Sequence, residues 1–241
     1  MLVRRFFSFI FVVAVLYATT PLAEANPIIS VEEDVMTSGF FGGDNRVRGY
    51  SGDNRNVHRV SNNNPFGTAA AETIYLTFDS NNFASLTQPV SQALLYVTSA
   101  VGGFNNDASA GNPFTVSAHA LSADPITSIT DDTNATGPID WITFFDNNIL
   151  AADPAAITAV DSFGQITFDV TSIVNDWISG ANTVFAIALT GKNHVNTGAD
   201  FLHGFLNNTE NSGASYLVIP EPASLSLMLI GGLLIAKRKR K

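Results

Sequence analysis

Hydrophobic and polar positions alternate with a period of two along much of the chain. Ile74, Leu76 and Phe78 alternate with Tyr75 and Thr77, and Leu95 and Val97 with Leu94 and Tyr96. Phe114, Val116, Ala118 and Ala120 alternate with Thr115, Ser117 and His119, and Ile166, Phe168 and Val170 with Gln165, Thr167 and Asp169. This period marks strands with one face in a core. The segment around Leu95 is apolar on both sides, as for a strand covered on both faces, and residues 184–189 form a continuous apolar run expected of a central strand. Shorter strand candidates lie at 141–145, 201–206 and 216–219. Asn-Asn, Asp-Asp, Asn-Pro and Gly-Gly pairs separate them. Residues 26–64 are rich in Gly, Asn and Asp and carry Gly-Asp-Asn-Arg twice, at 43–46 and 52–55. Two copies do not make a repeat protein and read as turns between short edge strands. One helix is predicted over 172–178: Thr171 as its cap, Ile173, Val174 and Trp177 on one face, and Gly180 as its stop. Such a helix would plug one end of the core, with Trp177 inside. The expectation is an all-β, jelly-roll-like β-sandwich with one short helix.

The two ends of the chain break this pattern. Arg4 and Arg5 precede an apolar run at 6–18, and Ala23-Glu24-Ala25 closes it in a small-x-small pattern. That order predicts a secretory signal peptide over 1–25. At the other end, Pro220-Glu221-Pro222 precedes fourteen uncharged residues at 223–236 and then Lys237, Arg238, Lys239, Arg240 and Lys241. Fourteen helical residues span about 21 Å, short of a hydrocarbon core of roughly 30 Å. The tail therefore reads as a transient inner-membrane anchor, its basic end on the cytoplasmic side. Between the two ends, residues 26–219 are long enough for one domain with a sizeable core.

Charge sharpens this division. Residues 26–219 hold 5 Lys and Arg against 19 Asp and Glu, a net charge of −14, whereas the whole chain carries −9 because its basic residues gather at the ends. So acidic a domain repels a phosphate backbone, which argues against nucleic acid as a partner. It is compatible with neutral glycans and divalent cations. There is no cysteine, which excludes disulfides, thiolate metal sites and cysteine nucleophiles.

The three-part tail closely resembles the PEP-CTERM sorting signal of Gram-negative bacteria. The resemblance covers about 22 residues, with Pro220, Glu221 and Pro222 as the motif and 237–241 as the basic end. It implies an exosortase as processing partner, and it associates the chain with exopolysaccharide and with biofilm or floc matrix. A looser resemblance covers much of 26–219. It rests on Glu72-Thr73-Ile74-Tyr75-Leu76-Thr77-Phe78-Asp79, on Gln92-Ala93-Leu94-Leu95-Tyr96-Val97, and on Ile166-Thr167-Phe168-Asp169-Val170-Thr171 with Val174-Asn175-Asp176-Trp177. This order is similar to DNRLRE-type modules, secreted jelly-roll sandwiches related to carbohydrate-binding modules. It transfers no ligand residues.

Catalytic motifs are sparse. The chain contains no G-x-S-x-G elbow, H-E-x-x-H, Walker loop or G-x-G-x-x-G. His58, His119, His194 and His203 are scattered, without i, i+4 pairing, and read as surface or loop residues; His194 and His203 are near enough in sequence to meet in space. No cofactor is expected. A structural calcium held by Asp44, Asp53, Asp131 and Asp132 is the alternative to solvated turns, although no D-x-D-x-D-G loop is present. Candidates for stacking on a sugar are Tyr50, Tyr75, Tyr96 and Trp141, with Trp141 the leading one.

These features favour a non-enzymatic surface or matrix protein, exported by the general secretory route and associated with exopolysaccharide. A discrete carbohydrate-binding module is the alternative, and a glycan-active hydrolase the least favoured. Aromatic side chains aligned on one sheet face would point to the second reading. Two facing carboxylates in a cleft would point to the third.

Overall fold

The computed structural model describes residues 27–37, 57–61, 72–100, 109–129, 141–151, 153–191, 202–208 and 211–220. These residues form two antiparallel sheets. The first holds β1 (Ile28–Ser30), β3 (Val57–Ser61), β5 (Leu94–Ala100), β8 (Gly164–Asp169), β10 (Leu202–Leu206) and β11 (Ser215–Val218). β5 is its centre: one edge pairs with β8 along Leu94–Ser99, while the other is shared by β11 and β10. The second sheet runs in the order β2 (Glu33–Thr37), β4 (Thr73–Thr77), β9 (Ala186–Thr190), β6 (Phe114–Ala120), β7 (Ala156–Val160). As the turn-rich composition of 26–64 suggests, β1, β2 and β3 all lie at sheet edges.

The alternation in the sequence is the alternation of the core. Leu95, Val97, Phe168, Phe205 and Leu217 from the first sheet meet Ile74, Leu76, Phe114, Val116, Ile187 and Leu189 from the second in one buried cluster. At one end of this layer α3 (Thr171–Ser179) inserts Ile173, Val174 and Trp177. The indole packs against Phe78, Phe83 and Phe185 at centroid distances of 5.7, 5.2 and 5.4 Å. Gly180 ends the helix at φ 75°, the left-handed conformation that glycine adopts without a Cβ penalty. The cap differs from the expected one. Thr171 is the first helical residue, Val170 is the N-cap, and Asp169 Oδ1 accepts the Thr171 N–H and hydroxyl.

Helix is more abundant than the sequence suggests. Besides α3 there are α1 (Pro125–Ser128), α2 (Trp141–Asn148) and a 3₁₀ turn at Ser80–Phe83. The strand expected at 141–145 is the start of α2. The reason is tertiary: α2 covers the outer face of the second sheet, where Tyr75, Ala186, Ala188, Phe144 and Phe145 form a second buried cluster. Tyr75 meets Phe144 edge-on at 5.4 Å and 81°. β4 and β9 are thus buried on both faces. β5, expected to be covered on both, has only its inward residues fully buried. No helix among the described residues is long and apolar enough to cross a membrane. The signal peptide over 1–25 and the tail beyond Pro220 lie outside the described residues.

Candidate functional site

Three regions hold the described residues capable of chemistry. The first lies where the open edges of the two sheets meet, at β2, β3 and β10. Asp34, His58, Arg59, Glu72 and His203 are all buried there. Asp34 Oδ2 accepts the Asn208 N–H at 2.7 Å and sits 3.5 Å from His58 Nε2. Arg59 Nη2 donates to Glu72 Oε1 at 2.7 Å, and the Glu72 N–H donates to Ser61 Oγ at 2.7 Å. On this side of the sandwich, buried polar and charged groups pair with one another where apolar residues fill the rest of the interior, although His58 Nδ1 and Nε2 make no hydrogen bond.

Within the same region Ser99 Oγ lies 2.6 Å from His203 Nε2, the spacing of a nucleophile and its base. The hydroxyl has two acceptors within reach. The Ser162 carbonyl, 3.1 Å from the same Oγ, competes with Nε2 for its single proton, and the ring tautomer decides which of them receives it. Only the tautomer with its lone pair on Nε2 has the form of a base. The same arrangement recurs at Ser117, whose Oγ lies 3.2 Å from the Thr190 carbonyl and 3.1 Å from His119 Nε2. His203 is stacked on Phe114 and Phe163, and His119 meets Phe145 edge-on. The surface or loop placement expected for the histidines is therefore wrong for His58, His119 and His203, which are buried and packed among strands. His194 lies outside the described residues.

The second region is a cleft of about 440 Å³ at one end of the second sheet, lined by Glu32, Glu33, Asp79 and Asp124 together with Phe78 and Phe185. Two of its carboxylates are engaged by turns. Asp79 Oδ1 accepts from the Asn81 N–H at 2.9 Å and from Asn81 Nδ2 at 2.8 Å. Asp124 Oδ1 accepts from the Ile126 N–H at 2.8 Å, and Oδ2 accepts from the Thr127 hydroxyl at 3.1 Å. This is local capping chemistry. Among the described residues no three His, Asp or Glu side chains converge to hold a metal ion. The calcium candidates Asp44, Asp53, Asp131 and Asp132 lie outside the described residues.

The third region is the outer face of the first sheet. Register places Ser30, Tyr216, Tyr96 and Thr167 side by side on β1, β11, β5 and β8. Tyr96 and Tyr216 stack at 5.1 Å and 17°, and Gln165 Nε2 donates to the Tyr216 hydroxyl at 2.8 Å. Of the aromatic residues named from sequence, Tyr96 alone is placed here. Tyr75 is buried under α2, Tyr50 lies outside the described residues, and Trp141 opens α2 with its side chain outside them. Sequence reasoning missed Tyr216 because its partner is 120 residues away. The signal was present in the alternation of Tyr216 and Val218 with Leu217.

No family model matches the chain, and no curated protein matches it significantly.

Proposed function

We propose that the chain is an exported, non-enzymatic surface or extracellular-matrix protein of a Gram-negative bacterium, associated with exopolysaccharide. Residues 1–25 direct it through the general secretory route. Residues 220–241 hold it briefly in the inner membrane, with Lys237, Arg238, Lys239, Arg240 and Lys241 on the cytoplasmic side. An exosortase then acts at Pro220, Glu221 and Pro222. Residues 26–219 form the unit that reaches the surface.

The observation that carries this reading is that the first and last described strands pair with each other. The Ile219 N–H donates to the Pro27 carbonyl at 3.3 Å, and β1 pairs with β11 from Ile28↔Val218 onward. Both proposed cleavage points therefore lie within two residues of this closing pair. Either terminal segment can leave without breaking a described strand.

The finer fold reading is a jelly roll. Its support is the strand order: β1-β11-β5-β8 in one sheet and β4-β9-β6-β7 in the other. Along these eight strands the chain changes sheets at every step but one, as two interlocked Greek keys require. β2, β3 and β10 are then additions, and they carry the buried Asp34, His58, Arg59 and His203. The absence of an enzymatic role is proposed because both serine–histidine pairs are buried among packed strands with backbone carbonyls beside their hydroxyls, and the engaged carboxylates cap turns.

The test is to express the full chain in a Gram-negative host with and without an exosortase gene. Expected is a surface or released form that has lost 223–241 only when the enzyme is present. Changing Pro220, Glu221 and Pro222 together to Ala should leave the tail on and the protein in the inner-membrane fraction. A surface-exposed protein that still carries Lys241 would overturn the proposal.

A further inference from the structure

The two sheets differ in what covers them. The outer face of the second is buried along β4 and β9, where Tyr75, Ala186 and Ala188 pack with Phe144 and Phe145 of α2, and is open at β7. Across β1, β11, β5 and β8 the outer face of the first is exposed or half-buried, although β5 at its centre is paired on both edges; only β3, at the far edge, is buried throughout. Leu94, Tyr96, Thr98 and Ala100 are each only half-buried, whereas the central strands of the other sheet are buried throughout.

The open face has a definite chemistry. Tyr96 and Tyr216 stand on neighbouring strands and stack on each other, so their free ring faces turn outward along the row, toward β8 and β1. The neighbours at those two places are Thr167 and Ser30, both small and exposed. Each leaves a slot beside an aromatic face. Around the slots stand hydroxyl and amide groups: the Tyr216 hydroxyl, Gln165 and Thr167 itself. A cross-strand tyrosine pair by itself adds modestly to the stability of a sheet. That contribution explains the stack but not the small hydroxyl side chains on both of its flanks.

We infer that this face is a docking surface for an uncharged polysaccharide, gripped by pyranose C–H faces against Tyr96 and Tyr216 and by hydroxyls against Gln165, Ser30 and Thr167. The inference rests on the association with exopolysaccharide proposed above and names the face and the class of glycan. Amphipathic rings with a polar rim suit a ligand that is itself apolar on its ring faces and polar at its edges. Charge selects among glycans: the row contains no Lys or Arg, and residues 26–219 carry a net −14, so polyuronates and other polyanions are repelled.

The experiment uses the full chain in mild detergent, run by affinity electrophoresis through gels containing galactomannan or hydroxyethylcellulose as uncharged chains and alginate as a polyuronate. Retardation in at least one uncharged gel but not in alginate is expected, with a dissociation constant at least tenfold weaker for Tyr96→Ala and Tyr216→Ala. Ser30→Arg and Thr167→Arg fill the slots from exposed positions and should weaken retardation by a similar factor while leaving the circular dichroism spectrum and Tm unchanged. These two variants keep the test valid if a tyrosine variant fails to fold. The inference is overturned by no retardation in either uncharged gel, by retardation only in alginate, or by equal retardation of wild type and both slot variants. Self-association that the slot variants abolish would overturn it in favour of a protein partner. Tail processing is read separately by mass, so sorting and glycan binding can fail independently.

Discussion

Arg59 and Glu72 form an ion pair inside the protein: Nη2 lies 2.7 Å from Oε1, and the side chains are 2% and 3% exposed. Breaking such a pair strands a charge in a poor solvent, at a cost of about 3–5 kcal/mol, whereas replacing both partners with apolar groups of similar size is often neutral. Arg59→Met and Glu72→Leu alone should each lower the urea midpoint strongly. The double variant should recover most of the loss. Equal midpoints for the double variant and the worse single variant would show that the pair matters through packing and not through charge.

Gly191 marks a close approach between the sheets. A Cβ there would sit 2.5 Å from Phe114 Cζ and 3.1 Å from the Ser61 carbonyl carbon. Phe114 is fully buried and cannot swing aside without displacing core neighbours. Gly191→Ala should therefore cost about 1–3 kcal/mol, seen as a Tm several degrees lower. Gly111→Ala, with nothing within 4 Å of the new methyl group, is the matched control and should change little.

The strands were legible where a large residue points inward every second position, as at Leu95 and Val97 or Phe114 and Val116. β7 was not, because its pattern is inverted: Ile157 is exposed while Val160 alone is fully buried. α2 was misread because Trp141, Ile142, Thr143, Phe144 and Phe145 all favour strands. The helical spacing shows only in a longer window, where the Ile149 N–H reaches the Phe145 carbonyl. The polar interior had no local trace. Ser99 and His203 are 104 residues apart, and Asp34 and Asn208 are 174 apart. Both contacts are made by β10 or the residues just after it, a strand of the C-terminal half whose sheet neighbours, β3 and β5, both come from the N-terminal half.

Asp169 joins β8 to α3. Its Oδ1 takes up the Thr171 N–H and hydroxyl, and Thr171 Oγ1 in turn accepts the Ala93 N–H at 2.9 Å. Loss of the carboxylate leaves an orphan donor in the first turn of the helix that holds Trp177. Asp169→Ala should cost about 1 kcal/mol and Asp169→Asn less, because the amide oxygen still accepts. The check is chemical denaturation followed by tryptophan fluorescence in a Trp141→Phe background, where Trp177 is the one emitter. An Asn variant as unstable as the Ala variant would mean that charge, not the accepted hydrogen bond, is what matters.

Tyr75 supplies the pH prediction. Its hydroxyl is buried, and burial pushes its ionisation well above the ordinary value near 10, with the hydroxyls of Thr37 and Thr73 offsetting part of that rise. No hydrogen bond of good geometry reaches the hydroxyl. In the unfolded chain Tyr75 loses its proton above about pH 10, whereas in the folded chain it keeps it. The folded state then binds the extra proton, so stability falls as pH rises through this window, by about 1.4 kcal/mol per pH unit from this group. Below pH 10 both states are neutral and the contribution vanishes. Tyr75→Phe removes the titration and a poorly satisfied polar group together. It should be as stable as the wild type at pH 7, or up to about 1 kcal/mol more so, and its advantage should widen from pH 10 upward. Urea titrations at pH 7, 10 and 11 decide the matter: parallel profiles for the two proteins would mean that Tyr75 reaches solvent before the rest of the fold gives way.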